Sequence, residues 1–182
     1  MKKQDTSLVL IAILMIVAAA LSRVFFYPFN YSPVIAMALF GGSVIKNKKL
    51  AFALPLFAML LSDIMFEVFN VAQGFWGWGQ LVGYGILAII TVFGFQLRKI
   101  NVINVLGFSV ASSLIFFFLS NSSVWLFDNS TYAQNGAGYI NCLVAGLPFL
   151  EKGLLVDAAY SAIFFGGFVL LERFAFRKPF VA

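Results

Sequence analysis

The stretch SLVLIAILMIVAAALSRVFF, residues 7–26, decides the fold: an unbroken apolar run carrying one charge, Arg23. At 1.5 Å of rise per residue it makes a helix of about 30 Å, the thickness of a bilayer's hydrocarbon core. The rest of the 182-residue chain has the same character, with 62% hydrophobic, 18% aromatic and only 10% charged residues. Soluble domains carry about 25% charge, so this chain has too little polar material to coat a water-facing globule. It reads as an all-α integral membrane protein, one transmembrane domain over residues 1–182. That length leaves no room for a soluble nucleotide-binding or DNA-binding module.

Working outward from residues 7–26, further apolar stretches cover 32–45, 50–69, 80–97, 104–122 and 154–174, six in all. The 32–45 stretch is too short to cross a bilayer without tilt, thinning or a broken geometry. Lys2, Lys3 and Ala18-Ala19-Ala20 resemble a secretory signal, but the apolar run continues through Val24-Phe25-Phe26, so the segment is expected to stay as span one. Lys2 and Lys3, then Lys46, Lys48 and Lys49, Arg98 and Lys99, and Arg173, Arg177 and Lys178 all fall on one side when six spans are threaded. By the positive-inside rule that side is cytoplasmic and holds both termini. The net charge of +5 is thereby a topology signal, and no nucleic-acid partner is called for. Residues 138–150 are read as a half-helix or loop on the outer surface, broken by Gly146 and Pro148.

Histidine is absent and Cys142 is the single cysteine. This excludes a zinc-protease site, a histidine-ligated haem and an internal disulfide, and no cofactor is expected. Ionisable groups within a bilayer are costly, so each is a functional candidate. Arg23 and Asp63 lie at matching depth, about 20 Å into their spans at 1.5 Å per residue. Glu67 follows Asp63 by one turn, and Asp157 is placed in the first turn of span six. One reading is a structural ion pair of Arg23 with Asp63 or Asp157; the other is a polar pocket opening outward. The outer loops, rich in amides and aromatics, add Asn30, Tyr31, Trp76, Trp78, Asn121 and Trp125. Interfacial anchoring explains single aromatics there, but not the collection of amides beside them. Cys142 is read as inert packing, with ligation of a corrinoid cobalt as the weaker alternative. Ala158, Ala162 and Gly166, Gly41-Gly42, and Ala18 with Ser22 are small residues that permit close helix approach.

The run Ser22-Arg23, Pro28, Asn30, Ser32-Pro33 and Ala38-Leu39-Phe40-Gly41-Gly42, the stretch from Pro55 to Leu61-Ser62-Asp63, Ser120-Asn121 with Trp125, and Ala145-Gly146-Leu147-Pro148-Phe149 with Leu155 and Asp157 carry a resemblance. Over nearly its whole length the chain resembles a group of bacterial membrane proteins usually placed with the S-components of energy-coupling factor (ECF) transporters. The resemblance implies an S-component-like bundle of six transmembrane helices in the bacterial cytoplasmic (inner) membrane. It also implies capture of a vitamin or related micronutrient in an outward-facing pocket, and the aromatic and amide residues would suit a cobalamin-like or other heterocyclic compound. Residues 27–33, 70–80 and 121–152 would then be the loops that close over the ligand. The implied partners are the nutrient, the lipid bilayer, and a transmembrane coupling protein with paired ATPases that docks through small residues on span one. The expected alanine pair is not clean there: Ala12 is followed by Ile16, and only Ala18 with Ser22 keeps the spacing.

The expectation is therefore a non-enzymatic substrate-binding membrane subunit. Its candidate ligand contacts are Asn30, Tyr31, Asp63, Glu67, Trp76, Trp78, Asn121, Trp125 and Asp157, with Arg23 holding the carboxylates in place. The alternatives are a structural or assembly subunit in which Arg23 and Asp63 only staple helices, and an intramembrane hydrolase using Asp63 with Asp157.

Overall fold

The computed structural model describes residues 6–25, 32–75, 77–127 and 131–175, which are mostly helical, with no strand among them. The elements are α1 (Thr6–Phe25), α2 (Val34–Val44), α3 (Lys48–Val68), α4 (Trp78–Gly94), α5 (Val102–Phe127) and α6 (Gly136–Ser161). A π-helical turn, Ala162–Gly166, joins α6 to α7 (Gly167–Ala175). Among them α1, α3, α5 and the joined rod Gly136–Arg173 are long and apolar enough to cross a bilayer, whereas α2 and α4 are shorter.

Asparagines start three of these helices. The Asn47 side chain accepts from the Leu50 amide, that of Asn101 from Asn104, and that of Asn135 from Gly138, each satisfying a donor that the first turn leaves unpaired. Gly77, with φ of 75°, makes the left-handed turn into α4 that a side chain would oppose.

The shortest apolar segment occupies the centre. Helix α2 has 11 residues, all buried but Ser43, and it packs against α1, α3, α4, α5 and α6. A helix that is apolar all round is stable only where neighbours surround it. Its last turn comes backbone to backbone with α4. A Cβ on Gly94 would stand 2.7 Å from the Leu39 carbonyl oxygen, and one on Gly42 would collide with the Thr91 carbonyl. Phe40 anchors the other side, its ring centroid 5.0 Å from Phe164, 5.3 Å from Phe165 and 5.6 Å from Phe168. The π turn lets the adjacent Phe164 and Phe165 both face this core.

Helix α6 corrects the expected half-helix and outer loop at 138–150. The last apolar rod starts at Gly136 rather than Leu154, and neither Gly146 nor Pro148 interrupts it. Pro148 removes one backbone hydrogen bond, a local loss that the long antiparallel seam with α5 offsets. Gly146 serves that seam: a Cβ there would lie 2.6 Å from the Asn121 side-chain oxygen, so its absence lets the helices close. Helix α5 likewise runs on to Phe127 and α6 begins at Gly136, so most of the expected third loop, 121–152, is helical. Asp157 consequently lies far along its rod, opposite Ser113 near the middle of α5, and not in a first turn.

The two basic turns lie together. The Lys48 ammonium sits 3.2 Å from the centre of the Phe95 ring, joining the start of α3 to the end of α4. The described loop residues 69–75 and 131–135 occupy the opposite end of the bundle.

Candidate functional site: a polar hub beside an open cavity

Arg23, at the end of α1, reaches across to α3. Its Nη1 donates to Ser62 Oγ at 2.6 Å and to Asp63 Oδ1, and its Cζ stands 4.7 Å above the Phe66 ring. Asp63 Oδ2 accepts from Gln80 Nε2 and from Tyr84 Oη, both at 2.8 Å. Gln80 and Tyr84 stand four apart on α4, so one face of that helix supplies both donors. The network continues into loop 69–77: Gln80 Nε2 also donates to the Gly74 carbonyl at 3.0 Å, and the Gly74 amide donates to Glu67 Oε2 at 3.0 Å. A Cβ on Gly74 would overlap the Asp63 carbonyl, so the loop lies directly on α3. Burying this carboxylate, 1% exposed, is compensated by a cation and two neutral donors, the arrangement that interior charges require.

Next to the hub is a cavity of about 420 Å³, within the roughly 300–1,000 Å³ span of small-molecule sites. One wall is the α5–α6 seam, running from Asn121 and Gly146 through Phe117 and Phe149 down to Ser113 and Asp157. The facing wall comes from Ser32, Val34 and Ile35 before and within α2, with Arg23, Met59, Gly83 and Leu87 completing it. Lys152 and Gly153 border it on α6. Two polar groups in this space are under-used. Ser32 Oγ is buried without a hydrogen-bond partner. Asp157, 2% exposed, receives one hydrogen bond, from Ser113 Oγ to Oδ2 at 2.7 Å. Buried polar atoms in native proteins are nearly always paired, so such groups in a cavity point to water or a ligand.

Arg23, Asn121 and Asp157 line the cavity. Asp63 does not; both its oxygens are engaged in the hub, and it supports the wall through Arg23. Glu67 is exposed and pins loop 69–77 rather than facing the cavity. Trp78 is 85% exposed at the start of α4. Trp125 caps the other loop, its Nε1 donating to the Ala133 carbonyl at 3.0 Å and its ring lying 5.2 Å from Tyr139. Asn30, Tyr31 and Trp76 lie outside the described residues.

Of the two partners considered for Arg23, the structure pairs it with Asp63 and leaves Asp157 to Ser113. Asp63 and Asp157 share no hydrogen-bond partner, unlike a hydrolytic dyad, whose carboxylates share a proton. Cys142 is buried in α6, its thiol 3.4 Å from the Asn121 carbonyl and outside the cavity lining. Among the described residues no group of three potential metal ligands occurs. Ala12 and Ile16 are both wholly buried in the core, whereas Ala18 is exposed on α1.

Gln80, Tyr84 and Ser113 were not singled out from the sequence. The available signal was Gln80 and Tyr84 recurring at helical spacing in an otherwise apolar stretch. Gln80 stands at the edge of its span and tyrosine is common there, which conceals it.

No curated protein and no solved structure matches the chain. A family of unknown function, DUF6580, matches residues 2–179, nearly the whole chain, and the protein belongs to that family.

Proposed function

We propose that this protein is a substrate-binding membrane subunit, S-component-like, that captures a compact heterocyclic micronutrient for uptake. The observation that carries the reading is the cavity of about 420 Å³ with under-paired polar groups, Ser32 Oγ and Asp157, set in apolar and aromatic walls. Its volume lies toward the lower end of ligand cavities and favours a compact ring system over a corrinoid. In this proposal six helices span the bacterial cytoplasmic membrane with both termini and the basic turns inside, and the cavity opens toward the outer side. A coupling protein with paired ATPases remains the proposed source of energy. Its docking face would include Ala18 rather than the inward-facing Ala12 and Ile16.

A second reading, a structural subunit stapled by Arg23 and Asp63, is favoured by the complete pairing of Asp63 within the protein. The two readings separate experimentally. Gly83 and Gly153 border the cavity, and a Cβ at either would meet nothing within 4 Å, so Gly83→Leu and Gly153→Leu add bulk at its border from positions with room for the first added carbon. Mass spectrometry of extracts from the purified protein is expected to find a bound small molecule in the wild type and none in these variants. Cells lacking the protein should lose uptake of that compound. An empty wild-type protein together with unchanged uptake in the deletion would overturn transport in favour of the structural role.

A further inference from the structure

Resting on the capture reading above, the geometry points to a ligand class: we infer that the cavity receives an organic cation, whose protonated nitrogen is held by Asp157. The charges around the cavity are unequally engaged. Arg23 is committed to Asp63, and Lys152 is exposed on the cavity border. Asp157 lies deep in the wall with one neutral donor, Ser113, on Oδ2 and no hydrogen bond to Oδ1. An ionised carboxylate can accept about four hydrogen bonds, so Asp157, which borders the cavity, keeps acceptor capacity that the protein does not fill. A buried carboxylate with a single hydroxyl partner is costly, and a cation entering beside it relieves that cost. The surrounding walls suit such a guest. Phe116, Phe117 and Phe149 border the same space, and aromatic faces attract cations where water is excluded. A small molecule with a protonated nitrogen on an aromatic or heterocyclic body therefore matches the cavity in charge and in surface.

Three probes of similar shape test this on the full chain in detergent: 2-phenylethylammonium, the neutral 3-phenylpropan-1-ol and the anion 3-phenylpropionate. The cation is expected to bind at least about tenfold more tightly than either of the others, the size of a hydrogen bond to a charged group. Asp157→Asn should abolish that preference. A second measurement uses unmutated protein, so the test does not depend on the variant folding. Dicyclohexylcarbodiimide, which modifies carboxyl groups in apolar surroundings, should label Asp157, and the ammonium probe but not the alcohol should protect it. Equal binding of the three probes, a preference that survives Asp157→Asn, absent protection, or no binding at all would each overturn the cation assignment. None of these results bears on the capture reading, which stands or falls on the extracted molecule and on uptake.

Discussion

Asp63→Leu removes the one acceptor that three donors share, and its consequence can be worked out group by group. The Arg23 guanidinium would keep Ser62 and the Phe66 ring but lose its counter-charge. Breaking a buried ion pair by deleting one partner costs about 3–5 kcal/mol, and Arg23, 15% exposed beside an open cavity, belongs at the lower end. Tyr84 Oη would be left without its acceptor, adding about 1–3 kcal/mol, while Gln80 would retain the Gly74 carbonyl. The sum, about 4–6 kcal/mol, is comparable to the whole stability of many domains. Arg23→Met should cost about 3–5 kcal/mol by leaving the carboxylate buried without a cation. The double variant should cost only about 1–3 kcal/mol, because with both charges gone the Tyr84 hydroxyl is the principal group stranded. Unfolding by sodium dodecyl sulfate in mixed micelles, followed by far-UV circular dichroism, measures all three. An additive double variant, or a single Asp63→Leu variant as stable as the wild type, would refute the claim that this hub holds α1, α3 and α4 together.

The glycines offer a matched comparison. Gly42→Ala places a Cβ against the Thr91 carbonyl and should destabilise the bundle by about 1–3 kcal/mol, whereas Gly107→Ala, which meets nothing within 4 Å, should be neutral or stabilising by up to about 1 kcal/mol. The same micelle titration compares the two, and equal effects would contradict the backbone-to-backbone packing of α2 on α4. Orientation can be read with a membrane-impermeant maleimide on intact cells. Because Cys142 is buried, new thiols report against a low background: Gln73→Cys in loop 69–77 should be labelled from outside, and Lys48→Cys only after the cells are opened. The reverse pattern would invert the proposed topology.

Some of this molecule is legible in the chain alone. Runs such as residues 7–26 state their preference for a bilayer because hydropathy is a sum of local transfer free energies, and each residue contributes whatever its neighbours do. The gathering of Lys46, Lys48 and Lys49 with Arg98 and Lys99 at one end is equally local, following from alternation of short turns. The matching depths of Arg23 and Asp63 made Asp63 one of two candidate partners for Arg23, because rise per residue is constant along a helix. Tertiary structure decided the rest. That the 11-residue α2 is a central post, that Gly146 and Pro148 lie within one continuous rod, and that Asp157 faces the middle of α5 all depend on which helices meet. So does the choice of Gln80, Tyr84 and Ser113 as partners for the two carboxylates. Hydrogen-bond partners and close helix approach are relations between residues distant in sequence, and neither composition nor periodicity records them. The charges mark where polarity is costly; the packing determines which of them is satisfied by the protein and which is left facing a cavity.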